Sequence, residues 1–238
     1  MNKQSNTYTA IYISVLVCVV GAVLAWVALT LKPQQEANIK IDKMQQILSA
    51  VNIPSNEKNA ISLYEKYIND SFVLNFDGQR IDGNAFDISI ANEVKKEPQH
   101  RALPVFVCNI DNSVKYILPV YGAGLWGPIW GYIALNNDGN TIYGAYFSHQ
   151  GETPGLGAEI AKSDFSSQFI DKHLFKDEEF KSIAVEKKGQ KPSNGADYVN
   201  AISGGTITSK GVQTMLESCL SCYSAFLTNL HQQKKLNN

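Results

Sequence analysis

The chain has 238 residues, a net charge of −1 and 44% hydrophobic residues. This length is sufficient for one domain with a sizeable core and further segments. The basic residues are balanced by acidic ones and are not clustered, which argues against nucleic acid as a partner. The four cysteines do not form a disulfide framework, and the C-x-x-C pair Cys219 and Cys222 is predicted to pack in an apolar core.

The first predicted element is the uncharged apolar run at residues 11–31. Its 21 residues are enough to cross roughly 30 Å of hydrocarbon. A cleavable signal peptide is the alternative, but its apolar core would be shorter, and Leu29-Thr30-Leu31 is a poor cleavage site. We predict a short tail at 1–10, a retained transmembrane helix at 11–31 in contact with membrane lipid, and a polar connector at 32–37. The flanking positive charges are nearly balanced, and the short tail favours an N-terminus on the cytoplasmic side.

The remaining residues, 38–235, are predicted to form one domain. Residues 39–51 have the apolar spacing of an amphipathic helix. Three apolar runs at 114–120, 129–135 and 141–147 are separated by turn residues and are typical of an antiparallel meander. The predicted fold class is therefore α+β, a twisted antiparallel sheet with flanking helices, preceded by one transmembrane helix.

Two loops follow strands of this meander. The first, at residues 121–128, is rich in glycine and contains Trp126, whose ring is suited to stacking on a planar ligand. Trp130 is expected to pack on the core instead. The second loop contains Glu152 and Thr153, a polar acceptor and donor, and then Gly155 and Gly157, which allow close approach of a ligand. His149, at its start, is expected to be structural rather than a proton relay.

The last motif is Ser203-Gly204-Gly205-Thr206-Ile207-Thr208-Ser209. Its two glycines can adopt positive φ and form a turn with several N–H groups pointing inward. Thr208 or Ser209 is the predicted N-cap of a helix whose apolar positions run from Val212 to Leu230. A turn of this kind before a helix can bind a phosphate or be esterified to one. Most Gly-Gly turns before helices, however, are only turns.

Four segments, taken in order, resemble one family. Residues 38–48, 122–131, 152–160 and 200–206 are similar to segments of the C subunit of the sodium-translocating NADH:quinone oxidoreductase. The last of them resembles the Asp-x-x-Ser/Thr-Gly-Ala-Thr motif of covalent flavoproteins, with Gly205 in place of the usual alanine.

The resemblance implies a covalent FMN, joined through its phosphate to the hydroxyl of Thr206. It implies no catalytic nucleophile and no metal ligand. The residues that it assigns to FMN binding are Thr206, Ser203, Gly204, Gly205, Ile207 and Thr208 around the phosphate, and Glu152, Thr153, Gly155, Leu156, Gly157 and Trp126 near the ring.

The same resemblance implies partners and a location. The expected role is electron relay within a membrane complex that oxidises NADH, reduces quinone and exports Na⁺, with the other subunits of the complex as partners. An FAD-dependent FMN transferase is expected to attach the flavin. The expected location is the bacterial inner membrane, with the domain on the extracytoplasmic side.

One position of this motif differs in charge from the family pattern. Asn200 stands where the motif has aspartate, and Asp197 is the nearest carboxylate that would compensate. Two alternatives stay open, and Asn200 bears on the second of them. One is the flavin-carrying component of an Rnf-type ferredoxin:NAD complex, and the other is a membrane-anchored assembly or binding module without flavin.

Overall fold

The computed structural model describes residues 6–110 and 112–236. The chain divides into two compact units, one ending at Lys43 and the other beginning at Met44. The helices are α1 (Asn6–Ala50), α2 (Ala60–Tyr67), α3 (Ile90–Glu93), α4 (Ser163–Ser166), α5 (Thr206–Leu220) and α6 (Ser224–Leu236). The strands are β1 (Ile68–Leu74), β2 (Arg80–Ile81), β3 (Leu103–Ile110), β4 (Ser113–Ala123), β5 (Pro128–Asn136), β6 (Ile142–His149), β7 (Phe175–Lys176), β8 (Glu179–Phe180), β9 (Ala184–Glu186) and β10 (Tyr198–Asn200).

The described part of the first unit belongs to α1. Among the described residues, α1 is the one helix long and apolar enough to cross a membrane, with a mean hydropathy of 2.6 in its apolar window. None of that window is buried inside the protein. The long apolar helix predicted at the N-terminus is therefore present, and it includes residues 11–31.

The segment predicted as a polar connector, and the helix predicted after it, are continuous with the long apolar helix. Residues 32–37 are helical, and α1 continues to Ala50, although Pro33 lies inside it. Proline removes one backbone donor, but the residues that follow are mostly good helix formers. Lys32 and Glu36, one turn apart and 4.0 Å from each other, add a weak favourable pair.

The second unit is built on a six-stranded sheet in the order β2-β1-β3-β4-β5-β6. All its pairings are antiparallel, which confirms the predicted α+β class and the meander of β4, β5 and β6. The β3–β4 pairing ends at Phe106 and Ile117, so Pro119 lies where β4 pairs only with β5. A proline is tolerated there because one side of the strand needs no donor.

Each face of the sheet is covered by a separate apolar cluster. Leu118 and Val120 of β4 belong to the cluster that contains Val212, Met215 and the other buried residues of α5. Residues of the opposite face pack with the end of α1 and the turn after it, and this second cluster includes Ile47, Ala50, Val51, Ile117 and Ala134. The packing of α5 on the first face places the start of this helix beside the end of β4.

The predicted apolar helix is present in two parts. A 3₁₀ turn at Ser221–Tyr223 separates α5 from α6. Cys219 and Cys222 are free and buried, which confirms the prediction of core packing. Burial raises the pKa of the Cys219 thiol, so this sulfur is held in its unreactive protonated form.

Candidate functional site

The three predicted loops meet at one cavity of about 220 Å³. It is lined by Leu125, Trp126, Glu152, Thr153, Leu156, Gly157, Gly204, Gly205, Thr206, Ile207 and Thr208. Every residue predicted to bind the cofactor is in this set except Ser203 and Gly155, which line a neighbouring cavity of about 400 Å³. Leu125 was not predicted, although its place directly before Trp126 was an available signal.

The sheet brings the first two loops together. The loop at 124–127 joins β4 to β5, and it is closed by the Gly124 N–H, which donates to the Gly127 carbonyl at 2.8 Å. His149, the last residue of β6, is paired with Ile129 near the start of β5. The loop that follows β6 therefore leaves the same end of the sheet as the Trp126 loop.

Glu152 connects all three segments. Its side chain is only 5% exposed. One carboxylate oxygen, Oε1, accepts from the backbone N–H of Trp126 at 2.8 Å, and the other, Oε2, accepts from the Thr208 hydroxyl at 2.5 Å. A Cβ atom on Gly124 or Gly157 would lie under 3.0 Å from this carboxylate, so these glycines leave the space that it occupies. Glu152 was predicted as a cofactor ligand; it lines the cavity, and both of its carboxylate oxygens accept hydrogen bonds from the protein.

We predict that Thr208→Val destabilises the domain by about 2 kcal/mol, the usual cost of losing a hydrogen bond to a charged group in a buried place. Valine keeps the shape of the side chain but leaves Glu152 Oε2 without its donor. Urea denaturation measures the change, and Thr214→Val is the control because Thr214 is exposed on the same helix. Equal stability of the two variants would contradict the bridging role.

The predicted attachment segment forms the start of α5. Gly204 has φ 73°, and Gly205 occupies the N-cap position, so the helix begins at Thr206. The prediction that Thr208 or Ser209 caps the helix was wrong. Thr208 is bound to Glu152, and the Ser209 hydroxyl accepts from the Ile202 N–H at 2.9 Å.

This arrangement leaves backbone N–H groups without an acceptor in the helix, close to the Thr206 side chain. The N–H groups of Thr206, Ile207 and Thr208 are in the first turn of α5, where no carbonyl of the helix can accept from them. The Gly205 N–H is not free to bind an anion, because it already donates to the Ile202 carbonyl at 3.0 Å. The Thr206 side chain is exposed. An anion at this position would meet free amides and the positive end of the helix dipole.

The rim of the cavity is apolar and open to solvent. Trp126 is 68% exposed and Ile207 59% exposed, and Leu125 and Leu156 are also exposed. Trp130 differs from Trp126, because it is partly buried and its Nε1–H donates to Gln46 Oε1 at 3.0 Å. Trp130 was predicted to pack on the core; in the structure it is partly buried and is held by this hydrogen bond.

His149 also has a structural contact, since its Nδ1 accepts from the Glu152 N–H at 3.2 Å. This contact fits the predicted structural role of His149 at the start of the loop.

Asn200, which stands where the motif has aspartate, is hydrogen-bonded to a nearby side chain. The backbone N–H and the side-chain Nδ2 of Asn200 both donate to Gln168 Oε1, at 2.9 and 3.2 Å. Asp197 does not take the place of the missing carboxylate. The Asp197 Oδ2 atom accepts from the backbone N–H of His173 at 2.8 Å and lies 3.1 Å from the ring nitrogen Nδ1 of the same residue.

Comparisons with known proteins give consistent findings. Residues 124–221 match the family described as the FMN-binding domain. The C subunit of the Na(+)-translocating NADH-quinone reductase of Vibrio vulnificus is 34% identical over 215 residues, which cover 83% of each chain. The corresponding protein of Vibrio anguillarum is 31% identical over 231 residues, which cover 89% of each chain.

Two solved structures are similar in fold. The crystal structure of the C subunit of the Na(+)-translocating NADH-quinone reductase from Parabacteroides distasonis has 49% sequence identity and a TM-score of 0.79, and the match covers 83% of this chain and 97% of that one. Shewanella oneidensis NqrC has 27% identity and a TM-score of 0.66, with 82% and 99% of the two chains covered.

Proposed function

The chain belongs to the family of the C subunit of the Na⁺-translocating NADH-quinone reductase, and we propose that it carries FMN as a phosphoester on Thr206 and relays electrons between other subunits of that complex. One observation carries this proposal. The cavity that joins the three loops has the exposed Thr206 side chain at its edge, on the first residue of α5.

The size and lining of the cavity support a partly enclosed flavin. Ligand pockets usually have about 300–1,000 Å³, so a cavity of about 220 Å³ holds only part of such a group. The exposed side chains of Trp126, Leu156 and Ile207 offer apolar surface for the rest of a planar ring. Exposure of part of the ring suits an electron relay, because a partner protein is then able to approach it.

The start of α5 supports the position of the phosphate. The Thr206 hydroxyl supplies the ester oxygen, and the first-turn N–H groups of Thr206, Ile207 and Thr208 supply donors for the phosphate oxygens. FMN, when bound, supplies one- and two-electron redox chemistry, and the residues of the chain hold and orient it. Thr206 is a point of attachment and not a nucleophile for the redox reaction, and the FAD-dependent FMN transferase is the partner that modifies it.

The family and α1 support a membrane arrangement. The helix provides an apolar segment at 11–31 that contacts lipid, and the domain at 38–235 is proposed to lie on the extracytoplasmic side of the bacterial inner membrane. The other subunits of the reductase are its partners there. The relatives named above favour this complex over the Rnf-type alternative.

Retention of flavin after denaturation tests the proposal. The full chain is produced with the transferase, unfolded in acid and precipitated, and flavin absorbance is measured in the pellet and the supernatant. We expect yellow flavin in the pellet in about one-to-one ratio with the chain. Flavin released to the supernatant would indicate non-covalent binding. A colourless protein would instead favour the assembly module without flavin.

We further expect that Asn200→Asp leaves flavin loading unchanged or raises it. An aspartate restores the charge of the motif, and because position 200 is exposed, water replaces the lost side-chain donation to Gln168 Oε1 while the backbone N–H keeps its bond. Covalent flavin per chain is measured after loading in parallel with the wild type, and Asp197→Asn serves as the control at the neighbouring carboxylate. A clear fall in loading of the Asn200 variant would contradict this interpretation of the position.

A further inference from the structure

Thr206 also lines a second and larger cavity, of about 510 Å³. This groove lies between the end of β4, at Gly122 and Ala123, and the successive α5 positions Thr206, Lys210 and Thr214. The sequence motif did not indicate it, because the groove depends on how closely α5 packs against β4. Thr206 therefore borders two cavities. The phosphate of a group attached to its hydroxyl is able to point into either cavity.

The groove carries one charge. Of the described residues that line it, Lys210 alone is charged, and its side chain is exposed. It lies four residues after Thr206, so the two side chains are neighbours on the same face of α5. Within the described ranges 6–110 and 112–236, no ion pair or hydrogen bond of the Lys210 ammonium is found.

The first cavity is lined by a residue of opposite charge, Glu152. The Glu152 carboxylate is buried there and bound to Thr208, two residues after Thr206. A phosphate ester carries negative charge, so it is repelled from the Glu152 side and attracted toward the Lys210 side. Of the exposed apolar side chains that suit a flavin ring, Leu125, Trp126 and Leu156 line the first cavity alone, and Ile207 lines both. The first cavity therefore favours the ring, and the Lys210 side of Thr206 favours the phosphate charge.

We propose that Lys210 binds the phosphate of the Thr206-linked FMN from the groove and assists its attachment. This inference rests on the proposed function. In the transfer, the bond from Thr206 Oγ1 to phosphorus forms and the pyrophosphate bond of FAD breaks. AMP leaves, and the hydroxyl proton passes to the transferase. The Lys210 ammonium stabilises the negative charge that stays on the phosphoryl oxygens beside Thr206.

Loading kinetics test the role of Lys210. The full chain without flavin is mixed with transferase, Mg²⁺ and FAD, and covalent flavin is followed by fluorescence of the denatured chain. Lys210→Glu is expected to slow loading on the order of tenfold at low salt, and added salt is expected to reduce the difference. Lys210→Arg keeps the charge and is expected to load within about twofold of the wild type. Lys188→Glu makes the same charge change at an exposed lysine outside the groove and is expected to load normally.

A second readout separates contact with the phosphate from recognition by the transferase. The ³¹P resonance of the loaded protein is compared between wild type and Lys210→Gln, and we expect its chemical shift to change. Equal loading rates for wild type and Lys210→Glu, or an unchanged ³¹P resonance in Lys210→Gln, would overturn the inference and leave the proposed function standing. A wild-type chain that takes up no flavin would overturn both.

Discussion

Thr206→Val is expected to abolish covalent flavin attachment while the domain stays folded. Valine has nearly the shape of threonine but lacks the hydroxyl oxygen that the phosphoester requires. The Thr206 side chain is exposed at the first position of α5, so its loss breaks no buried contact. Stability is expected to change by no more than about 0.5 kcal/mol, as for other exposed substitutions. Fluorescence of the denatured chain after loading, together with urea denaturation, measures the two effects.

Two variants control this experiment. Ser203→Ala removes another exposed hydroxyl of the same loop and is expected to keep the covalent flavin, because Ser203 lines neither of the two cavities that Thr206 lines. Thr206→Ser keeps the ester oxygen and is expected to retain part of the loading. Covalent flavin on the Thr206→Val chain would show that the attachment residue has been assigned wrongly.

Gly211→Ala is expected to destabilise the domain and to impair loading as well. A Cβ atom at Gly211 would lie under 3.0 Å from the Ala123 carbonyl oxygen. Ala123 is the last residue of β4 and is paired with Pro128, so its backbone has little freedom to move away. Overpacking costs about 1–3 kcal/mol. Alanine gains only about 1 kcal/mol over glycine inside a helix. The difference is a net loss of about 0–2 kcal/mol in the free energy of unfolding. We expect a value near the upper end of this range, about 2 kcal/mol, because the backbone of Ala123 has little freedom to move.

The displaced helix would carry Thr206 away from the Trp126 loop, so the rate of flavin loading is expected to fall together with stability. Gly151→Ala is the matched control in the neighbouring loop, because an added Cβ there meets only the Trp126 carbonyl oxygen, at 3.8 Å. A Gly211→Ala chain as stable and as rapidly loaded as the control would contradict the close packing of α5 on β4.

Local patterns were sufficient to predict much of the architecture. The apolar runs and the turns between them predicted β4, β5 and β6, because a strand buried on both faces reads as a short continuous apolar run and a hairpin requires turn residues. The glycine-rich loops were assigned to one site by the family resemblance. The structure places them around one cavity, because the two strand loops leave the same end of the sheet.

The errors arose where distant residues determine local structure. Thr208 and Ser209 have the side chains of good N-caps, but Glu152 and Ile202 engage them from other segments of the chain. The helix consequently begins at Thr206, and no local propensity indicates this. The role of Glu152 as a bridge depends on the spatial meeting of Trp126 and Thr208, which are far apart in sequence. The groove beside Lys210 likewise depends on helix packing and not on a motif.

Peptide mass spectrometry on the full chain, made in its native host or with the transferase, tests the covalent attachment of FMN to Thr206 most directly. We predict that the peptide containing Thr206 is heavier by the mass of FMN minus water, and that fragment ions place the added mass on Thr206. An unmodified peptide despite an active transferase, or an added mass located on Ser203 or another residue, would contradict this assignment.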